Sequence, residues 1–308
     1  MDEGKDPNFF ILGAPKTAST SLYDLFSKHP QIHCPSVKEP GYFTRHEVKS
    51  ETIAETPHLQ SYDLYRSLYA SATADHVVRC DGSTSYLRHP DALREILELY
   101  PDAVFVALYR DPVELISSYH GYLVHEGWED LPTLESAWDV QDMRRAGECI
   151  PAAARRTSSV VYADVAKLGA QIETAREILG DRLHIYSMME VRANTDAVMR
   201  DLQRILGLTH YDLGALPSLN FARTARNETL NALIKNPPSW VKSAKKVVKK
   251  TLGVSSLGVR AKLEGVNSVR KTRKISDEMT TTLRKYYRSD VARLSKIVGR
   301  DLENDWGW

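Results

Sequence analysis

The stretch that decides the fold is Phe9-Phe10-Ile11-Leu12-Gly13-Ala14-Pro15-Lys16-Thr17-Ala18-Ser19-Thr20-Ser21-Leu22. Its apolar run ends at Gly13, a loop rich in hydroxyl side chains follows, and apolar residues then recur at helical spacing. The pattern predicts a strand, a loop and a helix. Unpaired N–H groups at a helix N-terminus and the helix dipole attract negative charge. Because Lys16 adds a positive charge, the loop is predicted to bind an anion.

The chain as a whole has the composition of a globular protein. It has 308 residues, 42% hydrophobic and 26% charged, with a net charge of +1. This is enough for a substantial core, and it does not favour a nucleic-acid partner. Cys34, Cys80 and Cys149 form neither a metal-ligand spacing nor a disulfide framework, which fits a reducing compartment. The polar N-terminus resembles no signal peptide, and no apolar run approaches a membrane span of about 20 residues.

A second strand and loop follow the same plan as the first. Residues 90–100 predict a helix, and residues 103–109 form a continuous apolar run, as expected of a parallel strand buried on both faces. Strand, helix and strand predict an open parallel α/β sheet, in which ligands bind beyond the carboxyl ends of the strands. Lys16 and Arg110 follow two such strands, so we expect both cations at one edge. Residues 46–75 predict a surface excursion, with one amphipathic helix around Tyr62–Tyr69.

The first loop resembles the 5′-phosphosulfate loop of sulfotransferases that use 3′-phosphoadenylyl sulfate, Pro-Lys-[Ser/Thr]-Gly-[Ser/Thr]-[Ser/Thr]. It is not a Walker A loop, because no second glycine precedes its lysine. Ala18 replaces the usual glycine, so we expect either a near-helical backbone there or a slightly recast loop. An ordinary strand-to-helix turn with polar caps is the alternative. The resemblance implies cofactor contacts from Lys16, Thr17, Ala18, Ser19, Thr20 and Ser21.

The second signature is Arg110-Asp111-Pro112-Val113-Glu114-Leu115-Ile116-Ser117-Ser118. It resembles the family's Arg-Asp-Pro-x-[Glu/Asp]-Arg-x-x-Ser, whose first arginine and last serine hold the 3′-phosphate, so Arg110 and Ser118 are the candidates. A helix-capping aspartate in a strand-to-helix turn is the plainer alternative. Tyr162 lies where the family often has Gly-x-Tyr beside the cofactor, although Val160 replaces the glycine. Arg273 and Lys274 belong to a basic loop that resembles one closing over the 3′-phosphate.

The third signature, Lys38-Glu39-Pro40-Gly41-Tyr42-Phe43, resembles Lys-Glu-Pro-x-[Phe/Tyr]-Phe of Golgi-type and bacterial sulfotransferases. The glutamate is the catalytic base in members that modify glycosaminoglycans, so the resemblance assigns Glu39 as base and Lys38 as its neighbouring charge. By itself this pair could be a surface ion pair of little consequence. Ser83 and Tyr86 are weaker candidates, for either substrate contact or turn formation.

Together these motifs identify the chain as a member of the PAPS-dependent sulfotransferases. The resemblance implies a P-loop-like parallel β-sheet flanked by helices, a single domain over residues 1–308, and a metal-free reaction. The donor would be 3′-phosphoadenylyl sulfate (PAPS) and the product adenosine 3′,5′-bisphosphate (PAP), with the sulfuryl group going to a hydroxyl of a carbohydrate, a glycolipid or a small-molecule alcohol. The alternatives are a P-loop-type nucleotide-dependent kinase and a non-catalytic anion- or lipid-binding module. The oligomeric state stays open.

Residues 235–274 carry twelve lysines and arginines against the single acid Glu264, a charge of +11. We call them the basic window, predicted to be a mobile segment near the cofactor and acceptor cleft. Residues 240–252 form a basic amphipathic pattern that could contact an anionic membrane or an amphiphilic acceptor. We favour a lysine-rich solvated face packed by its apolar stripe. A cytoplasmic protein is expected, with membrane association or a trimmed Golgi-lumenal domain left open.

Overall fold

The computed structural model describes residues 6–214, 223–225, 268–270 and 275–308. Its strands are β1 (Phe9–Gly13), β2 (Ile32–His33), β3 (Val78–Asp81), β4 (Val104–Tyr109), β5 (Leu183–Ser187), β6 (Arg223–Ala225) and β7 (Ser268–Arg270). Its helices are α1 (Ser19–Phe26), α2 (Ser50–Ala54), α3 (Pro57–Gln60), α4 (Tyr62–Arg66), α5 (Pro90–Leu99), α6 (Pro112–Glu126), α7 (Leu134–Asp139), α8 (Gln141–Arg145), α9 (Tyr162–Val165), α10 (Leu168–Leu179), α11 (Met188–Ala193), α12 (Thr195–Ile205), α13 (Asp277–Val298) and α14 (Leu302–Asp305).

The first of two compact units comprises residues 1–116, 163–219 and 277–308. It contains a five-stranded sheet in the order β2-β3-β1-β4-β5, in which every neighbouring pair is parallel. The predicted α/β class is therefore confirmed. The central strand β1 is fully buried, which explains why its sequence is continuously apolar. β2 and β3 lie on one side of β1, and the later strands β4 and β5 lie on the other. The strand order therefore reverses at β1, and a ligand crevice is expected beyond its carboxyl end.

The second unit comprises residues 117–162 and 220–276. Its described part includes most of α6, together with α7, α8 and the short antiparallel pair β6–β7. A fully buried ion pair joins Arg144 to Glu129, and the Tyr162 hydroxyl donates to the same carboxylate at 2.7 Å. Burial alone would raise the pKa of Glu129, but the hydrogen bonds from Arg144, the backbone and Tyr162 lower it below its usual value.

Most of residues 46–75 lie at the surface, as the sequence predicts. They form α2, α3 and α4, followed by a 3₁₀ turn over Ser67–Tyr69, and Tyr65 and Tyr69 are completely buried. Both tyrosines belong to an aromatic cluster, in which Tyr42 stacks on Tyr65 with ring centroids 5.0 Å apart. The amphipathic helix predicted around Tyr62–Tyr69 is therefore present as α4 and its 3₁₀ continuation, with Tyr65 and Tyr69 on the buried face.

Candidate active site

The loop after β1, residues 14–18, follows a strand that ends at Gly13. Gly13 has φ 132°, and a Cβ there would lie 2.6 Å from the Thr84 carbonyl oxygen, so a side chain would collide with the loop after β3. The buried Thr17 hydroxyl donates to the Ala14 carbonyl at 2.6 Å, which closes the turn. Ser19 and Ser21 are also buried, whereas Thr20 is exposed.

Ala18 adopts the left-handed conformation, with φ 68° and ψ 15°. The alternative of a near-helical backbone was therefore wrong: the alanine takes a conformation that glycine adopts more readily. It is the N-cap of α1, and no side chain caps this helix, nor does its first turn carry an acid. The N-terminus of α1 thus keeps its attraction for an anion.

Arg110 follows β4 and lies against the loop over residues 14–18, which we call the lysine loop. Its Nη1 donates to the Lys16 carbonyl at 3.0 Å, while Nε and Nη2 donate to Glu114 at 3.0 and 2.8 Å. The prediction that two strands bring Lys16 and Arg110 to one edge is confirmed. Within the described residues these contacts use three of the five guanidinium N–H groups, so two remain for a bidentate ligand.

Asp111 anchors the start of α6. One carboxylate oxygen accepts from the Val113 N–H at 2.7 Å and the other from the Trp308 indole at 3.1 Å. Burial raises the pKa of Asp111, against the effect of these hydrogen bonds. The capping role considered for this aspartate is therefore present, and it fixes the peptide that carries Arg110.

Glu39 lies on the loop after β2. Its carboxylate accepts from Lys38 Nζ at 2.6 Å and from Thr84 Oγ1 at 3.1 Å, and 49% of the side chain remains exposed. The neighbouring ammonium and hydroxyl orient the carboxylate without enclosing it. An exposed, oriented carboxylate can receive a proton from a substrate hydroxyl. Thr84 lies between this loop and the end of β1, because its carbonyl is beside Gly13 while its hydroxyl donates to Glu39.

Asp81, at the end of β3, organises the surroundings of Glu39 and escaped the sequence analysis. Its buried carboxylate accepts from the hydroxyls of Tyr65, Tyr86 and Ser83 and from the Ser83 N–H, at 2.5 to 3.1 Å. Ser83 Oγ in turn accepts from the Gly41 N–H at 2.8 Å. Burial raises the pKa of Asp81 to about 6, although these hydrogen bonds favour its ionised form.

An aspartate at the end of an apolar strand, followed by Gly-Ser-Thr, was the available signal for Asp81. Ser83 and Tyr86 both donate hydrogen bonds to Asp81, which gives these two side chains a structural role. The sequence did not single out Thr84, because its partner Glu39 lies on another segment. It did not single out Glu114 either, because its partner Arg110 was assigned to the 3′-phosphate.

The remaining candidates lie outside the first unit. Ser118 is half-buried on α6, and Tyr162 is buried with its hydroxyl on Glu129. Their cofactor roles stay predictions. Arg273 and Lys274, together with the helix considered over residues 240–252, lie outside the described residues. No helix in the described parts of the chain is long and apolar enough to cross a membrane.

Comparison with known proteins agrees with the fold and the motifs. The model of the Sulfotransferase family matches residues 7–212. Membrane-associated sulfotransferase kil1 of Dictyostelium discoideum is 28% identical over 115 residues, 37% of this chain and 22% of that protein. Human carbohydrate sulfotransferase 15 is 44% identical over 39 residues, 13% of this chain and 7% of that protein. The chain thus matches only a minor part of each relative.

One solved structure resembles nearly the whole chain. A sulfotransferase from Alicyclobacillus acidocaldarius superposes with a TM-score of 0.68 and 19% identity, covering 96% of this chain and 97% of that one. At this identity the likeness shows a shared fold.

Proposed function

The chain belongs to the sulfotransferase family, and we propose that it transfers the sulfuryl group of PAPS to an acceptor hydroxyl. The observation that supports this most directly is the bridge made by Thr84. Its hydroxyl donates to Glu39 and its carbonyl lies beside Gly13, the last residue before the lysine loop, while Arg110 donates to the Lys16 carbonyl from the end of β4. An anion-binding loop, a carboxylate and an arginine fork therefore occupy one edge of the sheet.

The donor would be held by charge and by backbone donors. The uncapped N-terminus of α1 and the hydroxyl groups of residues 17–21 suit the 5′-phosphosulfate. Two guanidinium N–H groups of Arg110 suit the 3′-phosphate, because a planar fork binds two oxygens of one phosphate. When bound, PAPS supplies an activated sulfuryl group. This chain supplies alignment and neutralisation of charge, as in phosphoryl transfer.

We assign the role of proton acceptor to Glu39. As the substrate oxygen bonds to sulfur, its proton would pass to Glu39, whose carboxylate is oriented by Lys38 and Thr84. The bond between sulfur and the bridging phosphate oxygen would break at the same time. Lys16 would neutralise the charge that develops on that bridging oxygen, and PAP would leave.

Ligand-dependent melting discriminates this proposal from its two rivals. We expect PAP to raise the melting temperature of the full chain, since a ligand at 100 times its Kd stabilises by about 2.7 kcal/mol. ATP with magnesium should have a much smaller effect. Transfer of labelled sulfate from PAPS to a panel of alcohols, sugars and glycolipids then tests catalysis. Stabilisation by ATP with magnesium alone would favour a kinase, and PAP binding without transfer to any acceptor would favour a non-catalytic module.

An acceptor presented at an anionic membrane is a narrower possibility, which the charge of the basic window favours. It predicts that the protein sediments with vesicles rich in anionic lipid, less so as salt increases, because each lysine near such a surface contributes about 1 kcal/mol. Replacing Lys245, Lys246, Lys249 and Lys250 by glutamine should release the protein while PAP binding persists. If the wild type ignores vesicles at low salt, the window is a solvated face or binds a soluble acidic acceptor.

A further inference from the structure

Two segments beside the candidate site run next to each other and are joined at four places. We call residues 39–47 and 83–89 the paired segments. The joining contacts are Thr84 Oγ1 to Glu39 at 3.1 Å, the Gly41 N–H to Ser83 Oγ at 2.8 Å, Thr44 to Ser85 between hydroxyls at 3.0 Å, and His89 Nδ1 to Glu47 at 3.6 Å. The carboxylate of Glu39 is at one end of this series, and a different group of side chains is at the other.

That far end brings together His46, Glu47 and His89. One ligand atom from each residue lies within 4.8 Å of the other two. The imidazole rings have centroids 6.1 Å apart and are nearly perpendicular, at 87°. Glu47 and His89 are half-buried, whereas His46 is exposed and can turn toward the others. The sequence shows no metal-ligand spacing for this set because His89 is more than forty residues from His46.

The chemistry of this set selects a particular class of ion. Two imidazole nitrogens and one carboxylate match the ligands of zinc and its neighbours, whereas magnesium and calcium prefer oxygen alone. Zinc bonds of about 2.0–2.2 Å put tetrahedral ligand atoms roughly 3.3–3.6 Å apart. The 3.6 Å separation of His89 Nδ1 from Glu47 already fits. A movement of the His46 ring by little more than about 1 Å would bring in the third ligand, leaving a position for water.

We propose that His46, Glu47 and His89 bind a divalent ion of the zinc class, which clips together the far ends of the paired segments. His89 is the residue from which α5 begins, and Glu47 ends the 3₁₀ helix that follows Gly41. The ion would therefore tie the loop carrying Glu39 to the start of α5. The proposal goes beyond sulfuryl transfer and does not depend on it, since metal binding can be measured without donor or acceptor.

The decisive measurement is calorimetric titration of the full, metal-stripped chain with zinc alone at neutral pH. We expect one saturable site. His46→Ala and Glu47→Gln should each weaken it at least 10–100-fold, the loss found when even an outer-shell partner is removed. His46→Ala is the main variant, because that side chain is exposed and its loss should not affect folding. Affinity should also fall on acidification, because protons compete with the metal ion for the imidazole nitrogens.

Two control variants remove other side chains that could bind zinc. His76→Ala tests the competing pair His33 and His76, whose rings are 5.4 Å apart, and Cys149→Ser removes the exposed thiol. Both variants should bind zinc like the wild type. Cobalt(II) should give a ligand-field spectrum without thiolate charge-transfer bands. The proposal is overturned if zinc does not bind, if His46→Ala binds as tightly as the wild type, or if a control variant abolishes binding.

Discussion

The lysine loop and the Glu39 loop follow strands of the same sheet, but they are held in different ways. The lysine loop is shaped mainly by its own sequence: Thr17 binds Ala14, and the N–H groups of Ser21 and Leu22 bind the Ala18 carbonyl. The Glu39 loop takes its supports from residues about forty positions away, with Ser83 on the Gly41 N–H and Thr84 on the carboxylate. One loop is a local motif, and the other is a product of tertiary packing.

This difference separates binding from turnover. Changes in and around the lysine loop should act on the nucleotide, because its N–H groups and cations face an anion. Changes in the Glu39 loop and its supports should act on proton transfer, with nucleotide binding preserved. Four variants test what each loop does and how it is held, from the largest expected effect to the smallest.

Glu39→Gln should lose most turnover and keep nucleotide binding. Removing a general base typically costs about 10²–10⁴-fold in rate, and the amide remains able to contact Lys38 and Thr84 sterically. Sulfate transfer and PAP-dependent melting, measured on the same preparation, report the two effects. Glu98→Gln, on the exposed face of α5, is the matched control. Near-normal turnover in Glu39→Gln would mean that another residue is the general base, and His33 and His46 would be tested next.

Arg110→Ala should weaken binding of PAP far more than binding of adenosine 5′-phosphosulfate, which lacks the 3′-phosphate. The expected difference is on the order of 2–5 kcal/mol, as for truncating one side of a buried charge pair. Because Arg110 also holds the Lys16 carbonyl, some loss for both ligands is expected, and only the difference reports the 3′-phosphate. Glu114→Gln, which keeps the guanidinium, serves as control. Equal losses for both nucleotides would refute this role for Arg110.

Asp81→Asn should change how stability depends on pH. Burial raises the pKa of Asp81 from 3.8 to about 6, so its favourable contribution is complete below about pH 4 and is lost as the pH rises through 6. Over this window the wild type should lose about 3 kcal/mol of unfolding free energy relative to Asp81→Asn, because each tenfold difference in proton affinity between the folded and unfolded chain corresponds to about 1.36 kcal/mol. Denaturant unfolding at pH 4, 5, 6 and 7 measures this difference directly.

The same variant tests whether Asp81 supports Glu39. Asp81→Asn should lower kcat with little change in PAP binding, and the effect should vanish in a Glu39→Gln background, where no base remains to be positioned. Asp91→Asn, on the exposed surface of α5, should change neither kcat nor the pH slope. If kcat is unchanged, or if Asp81→Asn lowers the rate as much in the Glu39→Gln background as in the wild type, Asp81 is a purely structural residue.

Ala18→Gly should stabilise the protein slightly, by about 1 kcal/mol or less. Glycine relieves the cost of a left-handed alanine, at φ 68°, but also increases the entropy of the unfolded chain. Thermal melting is the measurement, and PAP affinity should stay within about twofold because the loop is already in this conformation. Ala175→Gly, in the buried interior of α10, should instead destabilise. A marked loss of stability in Ala18→Gly would mean that the alanine methyl group contributes packing.

The sequence by itself determined the class of fold and the anion-binding edge. Continuous apolar runs at β1 and β4 predict strands buried on both faces, and the helices predicted after β1 and before β4 favour parallel connections. Lys16 and Arg110 then follow strands that end at the same edge, a consequence of topology alone. These features were predictable because each depends on residues that are neighbours in the chain.

Only the tertiary structure decided how Glu39 is supported. The contacts among Asp81, Ser83, Thr84 and the Glu39 loop join segments about forty residues apart, and the buried Tyr65 hydroxyl donates to Asp81. The cluster of His46, Glu47 and His89 has the same origin. When a hydrogen-bond partner or a metal-binding residue lies on a distant segment, no periodic pattern in the sequence reveals it. Its position is set by how β3 and the following turns pack beside the loop, which depends on side-chain volume and buried polar groups throughout the core.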